Sequence, residues 1–191
     1  MTIRRIAVYC GSAMGTDPAF ADAARALAAE MLRRGIDLVY GGGRLGLMGV
    51  VADSILAGGG KVYGVIPDAL VDQEVAHQGC TELHRVAGMH ERKAKMTELT
   101  DAFVALPGGI GTFDELFEAW TWNALGYHAK PFALLNVSGF WDGLIGFLDQ
   151  ATMSGFMSPA RRAQLLVGTD ISEVIDRLDA AIAAGERKMV W

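Results

Sequence analysis

The sequence predicts an α/β protein: a doubly wound, mainly parallel sheet of about six to seven strands, with helices on both faces. Three observations predict it. Short apolar runs alternate with amphipathic stretches almost without exception, and parallel neighbours then require helical crossovers. The 24 glycines, against five prolines, are clustered where the apolar runs end. The length of 191 residues suits one domain and not two full ones, so residues 1–191 are expected to form a single domain.

The elements follow in order. Ile3 to Cys10 is rich in Ile, Val and Tyr and reads as a buried strand ending in Gly11-Ser12. Asp17-Pro18 is an N-cap followed by proline in the first helical turn. Phe20, Ala24, Leu27 and Met31 share a helical face, and Gly35 closes that helix. Ile36 to Tyr40 is a second strand, ending in Gly41-Gly42-Gly43. A helix through Leu47, Val51 and Ile55 stops at Gly58-Gly59-Gly60. Lys61 to Ile66 is a third strand. Residues 68–88 read as irregular, with a short strand at Leu83 to Val86. Helices are expected over His90 to Thr100, Thr112 to Leu125, Phe140 to Met153 and Ile171 to Ala184. Strands are expected over Ala102 to Leu106, Phe132 to Val137 and Gln164 to Val167. No internal repeat, linker or low-complexity tract interrupts the pattern.

Composition narrows the function. Apolar residues make up 51% of the chain, enough for a core. Seventeen basic against 22 acidic residues give a net charge of −5, which argues against a nucleic-acid partner. No stretch approaches the ~18 uninterrupted apolar residues of a membrane span, so no membrane partner is expected. The N-terminus leads into a strand rather than a signal peptide, and Cys10 and Cys80 make no disulfide framework. The expected location is the cytoplasm. The four histidines, His77, His84, His90 and His128, lack metal-ligand spacing, so no metal site is expected.

In such a fold, ligands sit beyond the carboxyl ends of the strands. Three strands there end in glycine-bearing turns: Gly11-Ser12, Gly41-Gly42-Gly43 and Pro107-Gly108-Gly109. Bare amides beside helix N-termini attract phosphate, so these turns predict an anion pocket with Gly11, Ser12, Gly42 and Gly43 among its contacts. Gly41-Gly42-Gly43-Arg44-Leu45-Gly46 also satisfies G-x-G-x-x-G. It follows the second strand, and no acidic residue ends the next one, which counts against a dinucleotide site. Tight-turn packing and phosphate or ribose contact of another kind remain for it. Pro107-Gly108-Gly109-Ile110-Gly111-Thr112-Phe113-Asp114-Glu115 has two readings. It is a ligand loop opening a helix, or Thr112 and Glu115 form a capping box. Three glycines immediately before a cap are not needed by the second reading.

Met89, Arg92, Met96 and Leu99 have the spacing of one helical face, so Arg92 is expected inside an apolar stripe, where it must meet an anion or a carboxylate. Glu91 and Lys95 read as an ordinary surface pair. Lys93, beside Thr97 and Thr100, is either solvated or a ligand contact. Ser12 lacks the context of a serine nucleophile, and Cys10 and Trp120 read as core. Trp122 either lines a base pocket or meets another subunit.

Met89-His90-Glu91-Arg92-Lys93, followed by Pro107-Gly108-Gly109-Ile110-Gly111-Thr112-Phe113-Asp114-Glu115, resembles the LONELY GUY (LOG) family of cytokinin riboside 5′-monophosphate phosphoribohydrolases, often labelled lysine decarboxylases. The resemblance runs nearly end to end, through Tyr9-Cys10-Gly11-Ser12, Gly41-Gly42-Gly43, Gly64-Val65-Ile66-Pro67 and Pro131. It implies a Rossmann-like nucleotide-binding domain and a homodimer with active sites at the subunit interface. It implies hydrolysis of the N-glycosidic bond of a nucleoside 5′-monophosphate to free base and ribose 5-phosphate. The family's catalytic pair falls on Arg92 and Glu115. Its substrate contacts fall on Glu74, Arg92, Lys93, Gly109, Ile110, Gly111, Thr112, Phe113, Asp114, Glu115 and Thr121. The chain departs from the family at Ile110, where a tyrosine often stands, and in having Asp114-Glu115 for the commoner Glu-Glu. Nothing resembles the cofactor lysine of a decarboxylase, and no cofactor is implied.

The residues and the resemblance agree on chemistry. Breaking an N-glycoside builds positive charge on the ribose, which a carboxylate such as Glu115 stabilises while activating water. Phosphate on the glycine turns holds the ribose beside it. Arg92 orients Glu115, binds the substrate's anionic part, or assists the leaving base. A non-catalytic nucleotide or cofactor carrier of the same fold is the alternative, although a carrier has no need for both Arg92 and Glu115. The sequence does not choose between isopentenyladenine, adenine and another base.

Overall fold

A computed structural model describes residues 3–71 and 75–188. Its strands are β1 (Arg5–Tyr9), β2 (Asp37–Tyr40), β3 (Val62–Pro67), β4 (Glu82–Val86), β5 (Ala102–Ala105), β6 (Phe132–Leu135) and β7 (Leu165–Gly168). Its helices are α1 (Pro18–Arg33), α2 (Gly46–Ala57), α3 (Met89–Leu99), α4 (Ile110–Ala124), α5 (Asp142–Met153), α6 (Pro159–Arg162) and α7 (Ile171–Lys188). All seven strands run parallel in the order β4-β3-β2-β1-β5-β6-β7. The expected doubly wound sheet is the one found.

Alternate strand residues face opposite layers, as strand geometry requires. Ile6, Val8, Leu38, Tyr40 and Val104 pack against Leu27, Met31, Val51 and Ile55 of α1 and α2 and against Leu178 of α7. Ala7, Tyr9, Val39, Val65 and Phe103 pack against Met96, Leu116, Trp120 and Leu148 of α3, α4 and α5. Trp120 is therefore core, as its helical position predicts.

The punctuation of α1 is as expected. The Asp17 carboxylate accepts from Ala19 N at 2.9 Å, with Pro18 following. Gly35, at φ +68°, carries the left-handed turn that ends it. Three features differ from the sequence reading. β4 is a full five-residue strand, half exposed along the sheet edge, so its pattern Glu-Leu-His-Arg-Val lacks the apolar run of a buried strand. The short α6 and two 3-10 turns, Asp68–Leu70 and Val137–Gly139, have too few residues to show a period. α4 begins two residues early, at Ile110.

The chain steps from β1 out through β2 and β3 to β4, then returns to place β5 on the other side of β1. The β1–β5 junction is the topological switch point, where the turns after the two strands part and open a crevice.

Candidate active site

A cavity of about 340 Å³ occupies that crevice. Cys10, Gly11 and Ser12 after β1, Gly109 to Thr112 at the start of α4, and Glu115 one turn further line one side. Met48, Leu70, Met89 and Arg92 line the other. A smaller lobe of about 200 Å³, lined by Met14, Phe20, Leu47 and Phe140, shares Gly11, Ser12 and Gly109 with it.

The two turns at the junction are built for close approach. A Cβ on Gly108 would strike the Thr112 side chain and lie 2.9 Å from Gly11 N. The N-cap of α4 is Gly109, in extended conformation and with no side-chain cap. The capping-box reading is thereby corrected: Thr112 is the third helical residue, buried at 3% exposure, and Glu115 lies in the second turn. Glycine serves as an N-cap without supplying an acceptor, which leaves first-turn amides for a ligand.

Arg92 faces inward, as its spacing predicts. It is 4% exposed, donates from Nε to Val65 O at 3.1 Å and from Nη2 to Gly41 O at 2.8 Å, and places Nη1 3.9 Å from Met89 Sδ. The ends of β2 and β3 thus fix the guanidinium plane. A Cβ on Gly41 would stand 2.2 Å from Arg92 Nη2, so the first glycine of the triple turn makes room for the arginine.

Cys10 lines the cavity, and Tyr9 lies just before it at the end of β1. Burial pushes the Cys10 thiol and the Tyr9 hydroxyl well up, and the Glu115 charge pushes both further, with Glu118 adding to the effect on Tyr9. Cys10 stays a thiol there, consistent with a core residue rather than a nucleophile.

Other expected contacts lie elsewhere. Gly42 and Gly43 are not among the cavity-lining residues. Gly42 O accepts from His77 N at 2.9 Å, and Gly43 bridges Ala76. The triple-glycine turn therefore packs against the strap of residues 75–79, which is pinned in turn by His77 Nε2 on Asp53 Oδ1 at 2.9 Å. Lys93 lies 2.8 Å from Asp114 Oδ2 and pairs with Glu118. Phe113 packs edge-on against Trp141. Thr121 is exposed and lines a groove with Phe117, Phe156 and Arg161. Trp122 lines a separate cavity of about 520 Å³ with Thr97, Tyr127 and His128, beside Lys130, whose Nζ holds the Thr97 and Thr100 carbonyls at the end of α3. Glu74 falls outside the described residues. The expected Glu91–Lys95 pair does not form: Lys95 reaches Glu98 at 3.0 Å, and Glu91 accepts from Ala87 N at 2.7 Å.

Sequence reasoning did not assign Met48, Leu70 or Met89 to the cavity. Only the position of Met89 on the face of Arg92 hinted at it. Of the expected residues, the structure brings together Gly11, Ser12, Arg92, Gly109, Ile110, Gly111, Thr112 and Glu115.

Known proteins resemble this chain. A family profile described as "Possible lysine decarboxylase" matches residues 48–178. Cytokinin riboside 5′-monophosphate phosphoribohydrolase LOG of Oryza sativa subsp. japonica is 47% identical over 188 residues, covering 98% of this chain and 78% of the rice protein. The corresponding LOG3 enzyme of Arabidopsis thaliana is 44% identical over 191 residues, covering 98% and 89%. Among solved structures, the molybdenum cofactor carrier protein of Chlamydomonas reinhardtii aligns with a TM-score of 0.69 over 94% of this chain and 98% of its own; at 19% identity the likeness is one of fold. Identity of 44–47% along nearly the whole chain places it in the LOG family, that of the cytokinin riboside 5′-monophosphate phosphoribohydrolases.

Proposed function

We propose that this chain hydrolyses the N-glycosidic bond of a nucleoside 5′-monophosphate, of cytokinin type or a close relative, to free base and ribose 5-phosphate. The observation that carries the reading is the meeting of Arg92 and Glu115 on one cavity at the switch point, beside a helix N-terminus capped by Gly109. The 44–47% identity to phosphoribohydrolases supports the same reading.

In this mechanism the 5′-phosphate rests on the amides of Gly109 to Thr112 and on the Gly11-Ser12 turn. The ribose is thereby held with its anomeric carbon near Glu115. As the bond to the base breaks, its electron pair leaves with the base and positive charge grows on the ring; the Glu115 carboxylate stabilises that charge and takes a proton from the attacking water, and the departing base gains a proton in exchange, so that neutral base and ribose 5-phosphate are released. Arg92, held by Val65 O and Gly41 O, orients that carboxylate and the substrate without moving. The reaction uses no cofactor. Among the described residues, no three His, Cys, Asp or Glu side chains are grouped to hold a metal ion.

The reading includes a homodimer in the cytoplasm, acting on a small molecule rather than on nucleic acid or a membrane. Ile110, Phe117 and Leu125 form an exposed apolar stripe along α4, continuous with the cavity mouth at Ile110, and this surface suits a second copy. Among the described residues, no helix is long and apolar enough to cross a membrane.

The test is incubation of the protein with a panel of nucleoside monophosphates, AMP and isopentenyl-AMP included, with chromatographic detection of free base. Release of base from at least one is expected. Tight nucleotide binding with no release from any would favour a carrier and overturn the hydrolase.

A further inference from the structure

We infer that Lys93 is a positioning residue, a strut from α3 to the two carboxylates that bracket Glu115 on α4. It holds that helix, and with it Glu115, in place against Arg92. The inference rests on the role of Glu115 in the hydrolase reading.

Asp114, Glu115 and Glu118 crowd two turns of α4. Asp114 and Glu118 are four apart, Glu115 and Glu118 three apart, and such like-charged neighbours repel. Lys93 answers them: its side chain is 11% exposed, with Nζ 2.8 Å from Asp114 Oδ2 and paired with Glu118, which is itself only 19% exposed. Burial works against the Lys93 charge, but the hydrogen bonds to Asp114 and Glu118 outweigh it and raise its proton affinity.

Successive helical residues point about 100° apart, so Arg92 and Lys93 leave α3 in different directions. Arg92 lines the cavity and Lys93 does not. Arg92 shares the cavity with Glu115, Asp114 and Glu118 flank it on its own helix with Lys93 on both, and its charge acts on Tyr9 and Cys10 at the end of β1. Tyr9 and Cys10 are held neutral by burial. His90, almost fully exposed, stands 3.9 Å from Glu118 Oε1. Removing the Lys93 ammonium leaves two anions beside Glu115 with Arg92 as the principal counter-charge. Glu115 then takes up a proton more readily, and turnover falls at a pH where the wild type is active.

The experiment compares wild type, Lys93→Met, Lys93→Met/Glu118→Gln and Lys95→Met in AMP or isopentenyl-AMP hydrolysis across pH. Lys93→Met is expected to lower kcat about tenfold or more with KM within about twofold, and to move the acid limb of kcat/KM to higher pH. The second substitution removes the uncompensated charge, so the double variant should recover most of kcat and return the limb. Should Lys93→Met fail to fold, the double variant carries the same test. Lys95, paired with Glu98 on the outside of α3, should be dispensable. A large rise in KM at constant kcat, no rescue by Glu118→Gln, or wild-type behaviour of Lys93→Met would each overturn the strut. Failure of the wild type to release base from any nucleotide would instead overturn the hydrolase reading. Urea unfolding of the same variants, with Glu118→Gln alone, then decides the strut: strong coupling between positions 93 and 118 is expected, and additive losses would refute it.

Discussion

The amide of Gly11 donates to the carbonyl of Pro107 at 3.1 Å, tying the turn after β1 to the turn after β5 at the point where the sheet order reverses. Beyond this bond the chain separates toward α1 and α4. The two turns form one wall, in which their glycines have different tasks. Gly108→Ala drives a Cβ into Thr112 and toward Gly11 N, and should cost about 1–3 kcal/mol as an overpacking defect. Gly109→Ala meets no protein atom within 4 Å at an ordinary φ of −102°, so the fold should stay intact. If nucleotide phosphate rests there, KM should rise about tenfold or more, roughly 1.4 kcal/mol of lost contact. Equal KM for wild type and Gly109→Ala would remove that turn from the phosphate site.

Glu115→Gln is expected to lower kcat by about 10² or more while nucleotide binding persists. Because Gly109 is the N-cap of α4, this substitution removes no capping bond of the helix. Turnover near the wild-type value in a well-folded Glu115→Gln protein would end its catalytic assignment.

Arg92→Lys should fail differently. Lysine cannot donate in one plane to both Val65 O and Gly41 O, so a loss of about 2–3 kcal/mol in urea unfolding is expected together with the loss of turnover. Full activity in both Arg92→Lys and Arg92→Ala would refute the anchored guanidinium.

Phosphate should contribute more than affinity. The monophosphate should be cleaved at least ~10³-fold more efficiently than its nucleoside, about 4 kcal/mol in kcat/KM, because a remote anchor also holds the ribose against the carboxylate. Chelator should leave the rate unchanged. Comparable rates for nucleoside and nucleotide would mean that the glycine wall does not hold phosphate.

Acid stability tests the opposite face. Arg33 donates to Glu30, and although partial burial opposes it, Arg34 adds to the pull, so the Glu30 carboxyl is held down at about 2 rather than 4.5. Arg34 also reaches Asp176 on α7. A depressed folded-state value stabilises the protein above the unfolded value and is lost as pH falls toward 2. The Tm advantage of wild type over Glu30→Gln should therefore be constant above about pH 5 and shrink below it. An advantage that grows on acidification would refute the ion pairs.

What the sequence made legible was local. Asp17-Pro18 and Gly35 bound α1 because caps are written within a few residues of each other. Arg92 could be turned inward on paper because Met89 and Met96 lie on its own helix at fixed spacing. What stayed hidden joins distant segments. Lys93 meets Asp114 across two helices, His77 meets Asp53 from 24 positions away, and Leu70 reaches the cavity from a 3-10 turn that has no period. The triple-glycine turn misled for the same reason: glycine marks close approach, but not whether the approaching group is a ligand or, as at Gly41, the protein's own arginine.

That last contact lets one letter report on another. With any side chain at position 41, the guanidinium of Arg92 must shift from its present place, because a Cβ there would stand 2.2 Å from Nη2. A relative with alanine or serine there must withdraw its arginine from the carbonyls of both strands or bend the strand end away. In genome surveys, a residue other than glycine at this position therefore marks a member whose arginine sits differently.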